Sequence, residues 1–76
     1  SAPDIAGKGL ANPLAAFLTL AMLYDHLGEG RAAERLRRAV EHVVLAGQVT
    51  RDVGGTLSTA ECGDAVLRVL TSPTSN

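Results

Sequence analysis

The sequence predicts a mainly helical structure: an irregular opening segment followed by three helices. Three observations carry that prediction. An Asn12-Pro13 pair introduces an apolar run ending near Tyr24. From Arg31 to Ala46, apolar and charged residues alternate with helical spacing. Ser58-Thr59-Ala60-Glu61 then has the capping-box pattern ahead of a third apolar stripe.

Each element has a local reason. Pro3, Gly7 and Gly9 punctuate the first twelve residues, so that stretch reads as a loop. Asn is a good N-cap, and Pro fits the first helical position because its missing N–H leaves no bond unmade. The first helix is therefore expected from Pro13 to about Leu27, ending at Gly28. Leu14, Phe17, Leu18, Leu20, Ala21, Met22 and Leu23 occupy every side of it, which is the pattern of a buried helix. Two further short helices cannot cover it on all sides, so the chain reads as a piece of a larger protein. The second helix is expected from Arg31 to Ala46, ending at Gly47, with Ala32, Leu36, Ala39, Val40 and Val43 inward. Gln48 to Leu57 reads as irregular around Gly54-Gly55, with Val49 and Thr50 adding at most a short extended piece. The third helix runs from Thr59 to about Leu70, with Cys62, Ala65, Val66, Val69 and Leu70 as its stripe. Residues 71–76 read as a disordered tail.

Composition narrows the function classes. The 76 residues are 46% hydrophobic and 20% charged, with a net charge of -1. Such a balance excludes a disordered charged tail and leaves no electrostatic footprint for nucleic acid. The longest apolar run falls short of the ~20 residues that span a bilayer, and no membrane partner is expected. A single Cys forms no internal disulfide, and cytoplasm is the default compartment. His26 reads as a partner of a helix C-terminus, His42 as a surface residue and Cys62 as a small core residue.

The opening loop is the one place with ligand chemistry. Gly7 and Gly9 allow close backbone approach, and a helix start offers unpaired N–H groups to an anion. Asp4 can accept hydrogen bonds from a ribose diol, and Asn12 can donate and accept at an adenine edge. Plainer roles stand beside these: Asp4 as a turn residue, Lys8 solvated, Asn12 as a cap whose oxygen is then in demand twice.

The run Ser1-Ala2-Pro3-Asp4-Ile5-Ala6-Gly7-Lys8-Gly9-Leu10-Ala11-Asn12-Pro13 resembles the cofactor loop of the β-decarboxylating dehydrogenases, the isocitrate/isopropylmalate dehydrogenase family. The likeness continues through Met22 to Gly28, Thr50-Arg51-Asp52-Val53-Gly54-Gly55-Thr56, and Ser58 to Val66. It implies that residues 1–70 are the C-terminal portion of a larger two-domain α/β dehydrogenase. It further implies oxidation and decarboxylation of a 2-hydroxy acid: 3-isopropylmalate, isocitrate, homoisocitrate, or tartrate/D-malate. Cofactor-binding positions carried over from the family are Ser1, Ala2, Pro3, Asp4, Ile5, Ala11 and Asn12. No catalytic residue and no metal ligand matches a position in this segment. Magnesium or manganese would be held elsewhere in the parent, which is expected to be a homodimer. The segment alone is expected to be inactive.

The resemblance also bears on the choice of dinucleotide. NADP-dependent relatives tend to carry Lys-Tyr in place of Asp4-Ile5 and a Tyr in place of Arg51. A carboxylate binds a free diol but repels a 2′-phosphate, which points to NAD. A guanidinium at Arg51 pulls slightly the other way. The competing expectation is a stand-alone helical interaction module or a non-catalytic regulatory subunit.

Overall fold

In a computed structural model, residues 12–72 are described, and they form three helices: α1 (Leu14–His26), α2 (Gly30–Leu45) and α3 (Thr59–Thr71). A short 3-10 turn, Arg51–Val53, lies between α2 and α3. Among the described residues no strand forms. The extended piece expected at Val49 and Thr50 is reduced to one isolated bridge between Thr50 and Leu57.

The helix ends follow their local signals. Asn12 Oδ1 accepts the Leu14 N–H at 2.9 Å and so closes the start of α1 from one residue further out than expected, because Pro13 takes the N-cap position and Leu14 is the first helical residue. At the other end Gly28 adopts φ 79°, and the Gly28 and Glu29 N–H groups donate to the Asp25 and Tyr24 carbonyls. Gly47 closes α2 in the same way, at φ 72°, with Gly47 and Gln48 donating to Val44 and Val43. Only glycine takes this left-handed cap without a steric penalty. The α3 capping box is complete: Glu61 N–H donates to Ser58 Oγ at 3.1 Å, and Ser58 N–H donates to Glu61 Oε1 at 2.9 Å. α3 continues to Thr71, whose hydroxyl donates to the Leu67 carbonyl. It therefore enters the segment read as a tail by one residue, while residues 73–76 lie outside the described ones.

The core is built on α2, which packs against both α1 and α3. One cluster joins Leu14 to Ala39, Val40, Val43, Val49, Cys62, Ala65 and Val66. A second joins Ala21 to Ala33 and Leu36. Each fully buried aliphatic side chain contributes about 1.5–3 kcal/mol. The buried stripe of α2 differs from expectation at one position: Ala33 is fully buried, whereas Ala32 is only half-buried. Ala32 lies within the same arc of the helix, but it lines an open groove with Phe17, Leu20 and Tyr24 that no described element covers. Arg37 ties α2 to α1 through a 2.7 Å bond to Asp25, and Arg35 ties it to α3 by donating to the Leu70 carbonyl at 2.8 Å. The Glu34–Arg38 pair forms at 3.3 Å. Exposed pairs of this kind contribute about 0–1 kcal/mol each.

α1 is not buried all round. Only Leu14 and Ala21 are buried, and Phe17 and Tyr24 are half-buried on the same side. Leu18, Leu20, Met22, Leu23 and Leu27 are exposed. No helix among the described residues is long and apolar enough to cross a membrane.

Candidate functional site

Of the residues expected to touch a dinucleotide, Asn12 is the one described, at the start of α1. Ser1, Ala2, Pro3, Asp4, Ile5 and Ala11 lie outside the described residues. Asn12 is described, half-buried, and committed through Oδ1 to the Leu14 N–H. That bond orients the amide, because the oxygen must face the helix. The Nδ2 donors point from the other end of the amide and take no part in the cap. The first turn is otherwise closed by Ala16 and Phe17 donating to the Pro13 carbonyl.

The segment after α2 is drawn up to this end of α1. Leu14 shares the core with Val49 and lines a shallow apolar hollow with Val44, Val53 and Gly54. The segment is itself tightly bonded. Gly55 N–H donates to the Thr50 carbonyl at 2.9 Å, and Leu57 N–H donates to the Val49 carbonyl at 3.0 Å. Thr50 is buried, and its hydroxyl is satisfied by donating to Asp52 Oδ1. A buried hydroxyl without such a partner would be costly.

An open cleft follows, lined by Thr50, Arg51, Asp52, Thr56, Ser58 and Glu61 among others. Arg51 alone among these has a ligand role in the sequence reading, as a guanidinium able to bind a phosphate. The others fall within or beside the motifs that carry the resemblance, without a ligand group attached to them. Ser58 N–H, then the Ser58 hydroxyl, holds the Glu61 carboxyl below its ordinary value of 4.5. The carboxylate's bond to the cap is therefore present in full above pH 4.5 and is lost as pH falls through the lowered value. Ser58→Ala is expected to cost about 1 kcal/mol, and Glu61→Gln, which removes the titrating carboxylate, to flatten the loss of stability on acidification below pH 4.5. Urea titrations of both variants at neutral and acidic pH check the two effects. An unchanged Ser58→Ala midpoint at neutral pH, or an unchanged Glu61→Gln slope on acidification, would contradict them.

The remaining chemistry is inert. Cys62 is fully buried beneath α2, and burial, followed by the negative charge of Asp52, pushes its thiol up. A thiol held protonated is a poor nucleophile, so Cys62 is the core residue expected. His26 and His42 sit exposed in the last turns of α1 and α2. Among the described residues no three His, Cys, Asp or Glu side chains stand close enough to hold a metal ion.

Comparison with known proteins decides what this loop-and-helix unit belongs to. The family model described as isocitrate/isopropylmalate dehydrogenase matches residues 1–66. The chain belongs to the isocitrate/isopropylmalate dehydrogenase family. Among its relatives is a homoisocitrate dehydrogenase of Methanocaldococcus jannaschii, 47% identical over 92% of this chain and 20% of its own length. A probable tartrate dehydrogenase/decarboxylase of Agrobacterium vitis is 54% identical over 92% of this chain and 20% of its own length. An isocitrate/homoisocitrate dehydrogenase of Thermus thermophilus is 51% identical over 95% and 22%. The chain thus spans about a fifth of the length of the curated relatives it matches. No solved structure matched it significantly. Among the described residues, three helices and no strand are consistent with one portion of the larger α/β fold of this isocitrate/isopropylmalate dehydrogenase family.

Proposed function

We propose that this chain contributes the adenosine-binding loop of an NAD-dependent, metal-dependent oxidative β-decarboxylating dehydrogenase. The observation that carries the reading is the motif from Ser1 to Pro13, with Asp4 and Asn12 in place, inside a family match that begins at residue 1. Ser1, Ala2 and Pro3 lead the backbone to Asp4, which accepts from the ribose hydroxyls while Ile5 packs alongside; Ala11 and Asn12 meet the adenine.

The geometry at Asn12 supports this division of labour. The cap uses Oδ1, so the Nδ2 donors are the end offered to an acceptor nitrogen of adenine. Capping and base recognition therefore use opposite ends of one amide and do not compete. Asn12→Asp keeps an acceptor for the Leu14 N–H but removes those donors. Its expected result is an unchanged melting temperature with NAD binding weakened about tenfold, or ~1.4 kcal/mol. Equal NAD affinity in the variant, measured by calorimetry, would refute the donor role.

The chemistry a bound dinucleotide supplies is hydride acceptance, and that of magnesium or manganese is polarisation of the substrate hydroxyl. The metal ligands and the groups that grip the substrate would belong to other segments of the parent. The substrate is a 2-hydroxy acid of the class named by 3-isopropylmalate, isocitrate, homoisocitrate and tartrate or D-malate. The parent is a cytoplasmic homodimer in this reading, and residues 1–76 alone turn nothing over. The test is an assay of the intact gene product with each acid, manganese, and either dinucleotide. Reduction of NAD with one acid, faster than reduction of NADP, is expected. No reduction with any acid, or a preference for NADP, would overturn the proposal.

A further inference from the structure

The apolar hollow at the start of α1 takes no part in the proposed dinucleotide contacts. It measures about 340 Å³ and is lined by Leu14, Val44, Gly47, Val49, Val53 and Gly54. Val44 is 48% exposed and Val53 50%, so nothing among the described residues covers it. Its backbone groups are already engaged. The Gly47 and Gly54 N–H groups donate to the Val44 and Arg51 carbonyls, and the Val49 carbonyl accepts from Leu57. An occupant therefore meets aliphatic surface with little hydrogen-bonding capacity. A purine edge seated there would shed water without replacement, whereas an aliphatic side chain gains by leaving water.

We infer that Leu10 fills this hollow and that its seat holds the opening loop in place for the dinucleotide. The inference rests on the adenosine-binding role proposed for that loop. Ile5 and Leu10 are the only large aliphatic residues between Ser1 and Ala11. Ile5 packs beside the adenosine in that role and stands seven residues from Asn12, whereas Leu10 stands two. Two peptide steps keep the Leu10 Cα within about 7 Å of the Asn12 Cα. Asn12 is in turn tied by its 2.9 Å bond to Leu14, which lines the hollow. Leu10 thus reaches the hollow on a very short tether, at an effective concentration that no second copy matches. Seated there, it pins the chain between Asp4 and Asn12, whose side chains must meet one dinucleotide together. Leu10 is in this sense a positioning residue, acting on the dinucleotide through the loop without touching it.

Two measurements on the intact gene product test this. In the first, Leu10→Cys is combined with Val53→Cys or, so that one pair survives if the other fails to fold, with Val44→Cys. Leu10→Cys with Met22→Cys is the reference, because Met22 lies about 12 Å along α1 from Leu14. Oxidised glutathione is the oxidant, and the native Cys62 is fully buried and gives a low background. Disulfide closure within one chain is expected to be at least ~20-fold faster than in the reference. Closure no faster than the reference overturns the seat, and closure between two chains overturns it in favour of a second copy. In the second, Leu10→Ser is expected to raise the KM for NAD about tenfold, with kcat and the KM for the hydroxy acid unchanged. Leu10→Met, which conserves the volume, is expected to restore it. An unchanged KM for NAD in Leu10→Ser overturns the positioning role. Disulfide closure needs neither dinucleotide nor turnover, so a seat that fails and a dehydrogenase assignment that fails are told apart.

Discussion

Gly55→Ala is expected to unfold the segment that joins α2 to α3, and with it most of the core. A Cβ at Gly55 would stand 1.9 Å from the Val49 carbonyl oxygen, 2.4 Å from the carbonyl carbon and 2.7 Å from Val49 Cγ2. Two of those three atoms are backbone and cannot swing aside. Relieving the overlap means moving the strand-like pair apart, which breaks the bonds from Gly55 N–H to Thr50 and from Leu57 N–H to Val49. Val49 and Thr50 are both buried, so the displacement is transmitted to Val43, Cys62 and Val66. Overpacking alone costs about 1–3 kcal/mol, and each lost buried bond adds about 1 kcal/mol. A loss of roughly 3–5 kcal/mol is a large share of the 5–15 kcal/mol that holds a typical domain together. Gly54→Ala is the control. Gly54 has φ 90° but no atom within 4 Å of a Cβ, so it suffers only the left-handed strain of about 1–2 kcal/mol. Urea denaturation of the intact gene product orders the three proteins. A Gly55→Ala midpoint at or above that of Gly54→Ala would show that the contact is not what confines this position to glycine.

Asp4→Lys combined with Ile5→Tyr is expected to reverse the dinucleotide preference of the parent enzyme. The physical asymmetry is charge. A 2′-phosphate brings close to two negative charges to where a ribose hydroxyl stood. At about 4 Å a carboxylate repels each unit by roughly 4 kcal/mol in a partly solvated site, before relaxation and salt reduce it. Lysine turns that repulsion into attraction and removes the acceptor for the diol. Replacing Ile5 by Tyr adds a phenolic donor to the phosphate. The ratio of kcat/KM for NADP over NAD is expected to rise at least ~100-fold, about 2.7 kcal/mol. Arg51 supplies one exposed guanidinium in the segment between α2 and α3, and Arg51→Tyr in the same background is expected to change the ratio by less. An unchanged ratio in the double variant would withdraw the assignment of Asp4 to the ribose.

The candidate site was legible mainly as motif and only partly as chemistry. From the residues alone, Asp4 and Asn12 had plain structural readings stronger than their binding ones. Resemblance along Ser1 to Pro13 joined them into one loop, and the family match over residues 1–66 bears that membership out. What the structure adds at the site is the orientation of the Asn12 amide, because a hydrogen bond to Leu14 distinguishes its oxygen from its nitrogen. It also adds the approach of Val53 and Gly54 to Leu14, a contact between residues far apart in sequence that no local pattern announces.

The sequence by itself determined four of the six helix ends: both ends of α1, the end of α2 and the start of α3. Asn12, Gly28, Gly47 and the Ser58–Glu61 box act on groups within five residues of themselves, so their effect is the same whatever surrounds them. Only the tertiary structure decided which apolar residues are covered. Ala32 and Ala33 are equally apolar neighbours on α2, yet Ala33 is sealed and Ala32 borders an open groove. α1 is apolar on all sides, yet α2 covers a single flank of it. Caps and turns are satisfied by hydrogen bonds within one stretch of chain, whereas burial needs a second surface, and which surface arrives depends on how the distant parts of the chain pack.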